Sequence, residues 1–186
     1  MTYIFDAGYF KQFAKQSTPI RDSALLEEYK FAEETKENVD KIFISHSHAE
    51  LEDIRGIITC IEELGEYECY VDNDDHDMPK TTNGNTAKLL KQRIRNAKKF
   101  ILILTEKSIN SKWCNWELGF GDCEKFDKNA IAILPITQTN ATPQNFVGKE
   151  YLSIYHIISK NENNDQLTVV DPTTNETITF KQWMSL

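Results

Sequence analysis

Four short apolar runs constrain this chain most: KIFIS (Lys41 to Ser45), YECYV (Tyr67 to Val71), KFILILT (Lys99 to Thr105) and AIAILPIT (Ala130 to Thr137). Each is rich in β-branched, aromatic or other apolar residues and too short for a stable helix, so each reads as a buried strand. Between the first two, Leu51, Ile54, Ile57, Ile58, Ile61 and Leu64 recur at helical spacing. Glu50, Glu52, Arg55, Glu62 and Glu63 fall on the other side, and Gly65 closes the segment. Between the second and third, TAKLLKQRIRNA sets Ala87, Leu90, Ile94 and Ala97 on one stripe. A further helix follows KFILILT and reaches towards Phe126, and YLSIYHII (Tyr151 to Ile158) is the expected fifth strand.

Strands alternating with helices predict an open, parallel α/β sheet. Ligands of such sheets sit beyond the carboxyl ends of the strands. Three segments should therefore share one edge: SHSH after the first strand, the polar loop DNDDHDMPKTTNGN after the second, and the stretch leading into SKWCNWELGFG after the third. Residues 1–40, with LLEEYKFAEET (Leu25 to Thr35), read as a helical extension. The main domain is expected over 41–158. In 159–186, LTVVDPTTNETITF reads as two strands about a Pro-containing turn, a hairpin-like appendage.

The net charge of −8 supplies no basic face for a phosphate backbone, which argues against nucleic acid as a partner. No apolar run has membrane-spanning length, and MTYIFDAGYFKQFAKQ lacks the core and cleavage site of a secretory signal. Cys60, Cys69, Cys114 and Cys123 form no C-x-x-C pair. Reduced thiols in a cytoplasmic chain are the expectation.

The most apolar short segment, SKWCNWELGFG (Ser111 to Gly121), holds one carboxylate, Glu117. Buried carboxylates are costly unless paired or used. One reading is a carboxylate in an aromatic-walled pocket, with Trp113 one helical turn away. The other is a glutamate near a helix start that interacts with the dipole. Gly119 and Gly121 are costly in a helix interior, which suggests close packing or close approach. His46 and His48 form an H-x-H pattern without a third ligand nearby, so no metal is expected. Asp72 to Asp77 imitates the start of a calcium loop, but Asp77 occupies its glycine position and Asn83 its terminal glutamate. No phosphate-binding glycine motif is present. The loop at Ser45 to His48 can instead meet a phosphate or ribose through hydroxyls and backbone N–H groups.

The order KIFISHSHAE, YECYVD, KKFILILTEKSINSKWCNWELG and AILPI resembles the TIR (Toll/interleukin receptor) domain family over about residues 41–158. FILILTEKSINSKWCNWEL looks like the family's strand followed by S and S-x-W-C-x-x-E-L. The F-I-S-H-S opening, GKEYLSIY (Gly148 to Tyr155) and TITFKQW are similar to a bacterial subgroup that includes the TIR proteins of the Thoeris anti-phage system. The resemblance implies a flavodoxin-like fold with a central parallel sheet. It also implies NAD⁺ glycohydrolase or cyclase activity with Glu117 as the essential carboxylate. Substrate contacts would come from the strand-one loop (Phe43, Ser45, His46, Ser47), from Asp72 and Asn73, and from Trp113. Residues 72–85 would match the family's BB loop, used in self-association and in closing the site. Where many members carry a K-D or E-D pair, this chain has His48-Ala49-Glu50.

One carboxylate suffices for such chemistry. The nicotinamide of NAD⁺ leaves as a neutral base, so no general acid is required, unlike ordinary glycosides. The carboxylate has only to stabilise positive charge on the ribose. NAD⁺ is then substrate rather than cofactor, no metal or cofactor is implied, and a cyclic ADP-ribose-type product would act on a downstream effector as a diffusible signal. Two other readings stand beside this one: a non-catalytic TIR interaction module, and a nucleoside ribosyl- or deoxyribosyl-transferase.

Overall fold

The computed structural model describes residues 2–14, 39–47, 51–71, 84–137, 150–161 and 166–186. In chain order the elements are β1 (Thr2–Tyr3), β2 (Phe5–Asp6), α1 (Lys11–Ala14), β3 (Asp40–Ser45), α2 (Leu51–Glu62), β4 (Tyr67–Tyr70), α3 (Gly84–Asn96) and β5 (Lys99–Leu104). Then follow α4 (Glu106–Asn110), α5 (Lys112–Lys125), β6 (Ile131–Thr137), β7 (His156–Asn161), β8 (Leu167–Val170), β9 (Thr177–Thr179) and α6 (Phe180–Ser185).

The sheet runs in the order β4-β3-β5-β6-β7-β8-β9, parallel from β4 through β7 and antiparallel beyond. Its parallel part is the flavodoxin-like order, in which the chain moves outward from β3 to β4 and then returns across β3 to β5. The order reverses between β3 and β5, so their carboxyl ends diverge there and leave a crevice. Side-chain alternation along β3 divides the core between two layers. Ile42 and Ile44 pack with Ile54, Ile57 and Ile61 of α2 and with Phe180, Trp183 and Met184 of α6. Phe43 packs on the other face with Leu90 and Ile94 of α3 and Cys114 and Leu118 of α5.

The two ends of the chain extend this sheet. β6 and β7 pair only at Ala132–His156 and Ile133–Ile157. Farther along, the N-terminal arm enters between them: β1 runs antiparallel to β7, and β2 pairs in parallel with the end of β6 through Phe5–Ile136 and Asp6–Thr137. Sequence reading expects helix in this extension. The described arm is instead two short strands and one turn of helix, held by burial of Ile4, Phe5 and Phe10. The segment Leu25 to Thr35 lies outside the described residues.

YLSIYHII is not one strand. Glu150–Ile154 forms a 3₁₀ turn and β7 starts at His156. Leu152 and Tyr155 are buried while Tyr151, Ser153 and Ile154 are exposed, a period of three rather than the strand's two. The C-terminal piece does form two strands about a turn with Pro172, where Asp171 Oδ1 accepts the N–H groups of Thr173 and Thr174. The added helix α6 is capped by Thr179. Its Trp183 is fully buried, donates to the Asn129 carbonyl at 2.9 Å and carries the Lys99 ammonium over its ring at 4.7 Å. Burial in this apolar setting lowers the Lys99 pKa to about 8.

Candidate active site

The corner after β5 is built by its hydroxyls. Thr105 caps α4 in a reciprocal box with Ser108. Ser111 closes α4 through its N–H and opens α5 through its side chain, which accepts the Cys114 N–H. Asn115 braces the corner by donating to the carbonyls of Ile109 and Ser111, at 2.9 and 2.7 Å, and accepts the Tyr151 hydroxyl at 2.7 Å. The S-x-x-S-x-x-x-N spacing within SINSKWCN is therefore a helix-to-helix joint that aims α5 back across the sheet.

On α5 the buried stripe is Cys114, Glu117, Leu118 and Gly121, at i, i+3, i+4 and i+7. Glu117 occupies a position that an apolar residue would normally hold. It is the sixth residue of the helix, and no acidic residue stands in the first turn, so a helix-start dipole role does not describe it. Gly121 explains how close the helix comes. A Cβ there would lie 3.1 Å from the Phe100 ring of β5. Gly119 faces outward and a Cβ there would meet nothing within 4 Å, so the close approach expected at both glycines applies to Gly121 alone. Gly119→Ala should therefore stabilise the fold by about 0.5–1 kcal/mol through backbone entropy. A melting temperature raised by about 1–4 °C with unaltered activity is the expected readout, and a lowered one would contradict it.

The approach of α5 brings Glu117 against the end of β3. Ser45 Oγ donates to Glu117 Oε2 at 2.6 Å, and the two residues are 1% and 4% exposed. This pair sits at the switch point. His46, the next residue, turns to the other side of the sheet edge. There, with Ser47, Asp53 and Thr105, it lines a small cleft floored by Ile54, Ile103 and Ile136.

The other candidate residues from the sequence divide. The Phe43 ring is interior, stacked between Tyr70 at 5.3 Å and Phe100 at 5.4 Å, so it supports the strand from within. Trp113 is 38% exposed, edge-on to Trp116, which in turn stacks on Phe120 beneath Lys91. It stands at the rim one turn before Glu117. Asp72, Asn73 and the loop 72–83, together with His48 of the H-x-H pattern, lie outside the described residues. Among the described residues no three His, Cys, Asp or Glu side chains are grouped to hold a metal ion. Sequence reasoning missed Asp53, which is 2% exposed in the cleft. Its signal was available: it precedes Ile57 by four residues and so falls on the apolar stripe of α2.

A second hollow lies at the opposite, amino edge of the sheet, among Phe126, Ile154, Tyr155, His156 and Asp171. Burial lowers the His156 pKa while Asp171, 3.7 Å away, raises it. Asp171 is already used as a turn cap, so this pair is matched within the fold. The carboxyl edge, with a buried carboxylate at a switch point, is the candidate active site.

The flavodoxin-like strand order and the serine-anchored glutamate on the helix after β5 agree with the family resemblance of the sequence. The chain belongs to the TIR domain family, whose model matches residues 42–168. Within that family it is similar to the probable 3′ cyclic ADP-D-ribose synthase ThsB′ of Bacillus cereus (strain MSX-D12). The two are 30% identical over 162 residues, which cover 82% of this chain and 81% of that protein.

Proposed function

We propose that this protein is an NAD⁺ nucleosidase and ADP-ribosyl cyclase that cleaves the ribose–nicotinamide bond and releases a cyclic ADP-ribose-type signal. The observation that carries the reading is Glu117, buried at the carboxyl edge and anchored by Ser45, in a chain related along most of its length to a probable cyclic ADP-D-ribose synthase. The loop Ser45–Ser47 reaches both sides of the sheet edge. A dinucleotide bound at this edge meets Glu117 with its nicotinamide ribose.

In the reaction the bond from ribose C1′ to the nicotinamide nitrogen breaks, and its electron pair passes to the ring nitrogen. Nicotinamide leaves neutral. The positive charge moves to the ribose, where the Glu117 carboxylate stabilises it in an environment less screened than water. The adenine or a ribose hydroxyl of the same molecule then bonds to C1′ and sheds a proton. An intramolecular nucleophile held in place outcompetes water when water is excluded. His46 and Ser47 at the strand-one loop, Trp113 at the rim, and Asp72 and Asn73 beyond β4 complete the substrate contacts in this reading. No metal is required.

Membership of the TIR family and the sequence resemblance to Thoeris TIR proteins support a place in bacterial anti-phage defence, in the cytoplasm, with the cyclic nucleotide acting on a separate effector. Among the described residues no helix is long and apolar enough to cross a membrane. Residues 72–85 are proposed to mediate self-association on activation.

The test is incubation of purified protein with NAD⁺ over a wide range of protein concentration, followed by mass analysis. Nicotinamide and a product of NAD⁺ mass less nicotinamide are expected, with activity per molecule rising with concentration. No nicotinamide release at any concentration overturns the enzymatic reading. A flat concentration profile overturns the self-association.

A further inference from the structure

We infer that Ser45 is the positioning residue of this site: its hydroxyl holds the Glu117 carboxylate ionised and fixed in orientation against the end of β3. The inference deepens the NAD⁺ reading and rests on it for its kinetic consequences.

The contact has the geometry of a charge-assisted bond. At 2.6 Å it is a short hydrogen bond, within the range of charge-assisted O–H···O⁻ bonds. It joins residues 72 apart in sequence and both partners are buried, so it is neither a local cap nor a surface accident. Two effects compete at Glu117. Burial disfavours the charged carboxylate, and a donor to the charged form favours it. Terminal torsions of glutamate are broad, so an unanchored carboxylate would sample many orientations. A serine has one proton to give, and here it goes to Oε2. In this arrangement Ser45 orients the acid instead of donating to substrate.

Among the described residues, the β5 side of the layer around this pair is apolar. In the layer that holds α5, β5 contributes Leu102 and Leu104, and Cys114 stands one turn earlier on the same helix. From α3, Lys91 lies over the rings of Trp116 and Phe120, and Arg95 lies over Phe120 and pairs with Glu124. His46 follows Ser45 but lines the cleft on the other side of the sheet edge. Glu106 and Lys107 of α4 are exposed.

The experiment compares the parent with Ser45→Ala and Ser45→Thr in two ways. The first is a pH profile of NAD⁺ cleavage. Removing the donor raises the carboxyl pKa, so more of the acid is protonated and inactive at low pH. The low-pH limb in Ser45→Ala should move upward by about one pH unit. Its kcat should fall about 10- to 100-fold at neutral pH with KM nearly unchanged, and Ser45→Thr, which keeps the hydroxyl, should restore the limb. The second readout is titration of the Glu117 carboxyl carbon by NMR in isotope-labelled protein. It needs no turnover and should show the same upward shift in Ser45→Ala.

An unshifted titration, or activity lost equally at every pH, overturns the role of Ser45. If the parent fails to cleave NAD⁺ while the titration shifts as expected, the anchoring stands and the NAD⁺ reading falls.

Discussion

Glu117→Gln is expected to leave the fold intact and to lower NAD⁺ cleavage by about 1,000-fold. The substitution is nearly isosteric. The glutamine amide oxygen still accepts the Ser45 proton, so the contact that ties α5 to β3 persists in neutral form. What disappears is the negative charge facing the developing ribose cation. Removing one preorganised electrostatic group commonly costs 10²–10³ in kcat, and here no second buried carboxylate appears on α5 to share the task. A thousandfold loss corresponds to about 4 kcal/mol of transition-state stabilisation. The measurement is nicotinamide release in single-turnover conditions beside a thermal melt. A melt within a few degrees of the parent, with turnover near background, is the expected pair of results. Turnover equal to the parent would remove Glu117 from the chemistry.

The parallel core and the location of the site were legible because both rest on strong periodic signals. The β-branched runs at Lys41, Lys99 and Ala130 are buried on both faces, and such strands read as continuous apolar runs. Glu117 was legible as a charge inside an apolar stripe. Its partner was legible only as a neighbour on the same edge, because a hydrogen bond between residues 72 apart leaves no trace in spacing. The N-terminal arm was not legible at all. Strands of two residues carry no period, and β1 and β2 exist because β6 and β7 diverge and leave backbone groups to satisfy. Asp53 was hidden by its type: an acid among other acids in a charged helix reads as solvated surface, although its position placed it inward. Phe43 errs the other way. The family resemblance put it with the substrate loop, whereas strand alternation directs its ring into the core with Phe100.

Gly56→Ala should be the most destabilising single-methyl change in the described fold. Gly56 stands mid-helix in α2, where alanine would ordinarily gain about 1 kcal/mol. Its Cβ, however, would lie 1.8 Å from the Phe10 carbonyl oxygen and 2.5 Å from the carbonyl carbon. Both are main-chain atoms, so no rotamer change in Phe10 relieves the clash and the arm itself must move. Ile4, Phe5 and Phe10 are all fully buried, and exposing each costs about 1.5–3 kcal/mol before the freed backbone entropy offsets part of it. A net loss of about 3 kcal/mol is expected, which lowers the melting temperature by about 6–12 °C in a chain of this size. Hydrogen exchange should localise the damage. The Ala7 amide, bonded to the Thr137 carbonyl at 2.8 Å, should lose protection, while amides of β3 and β5 change far less. Phe5 pairs with Ile136, which floors the His46–Asp53 cleft, so a displaced arm loosens one wall of that cleft. The Ser45–Glu117 pair lies on the other side of the sheet and should stay in place. Gly56→Ala is therefore expected to lower the melting temperature with little effect on kcat, the reverse of Glu117→Gln. An unchanged melt would mean that the arm shifts at little cost and contributes nothing to the edge it covers.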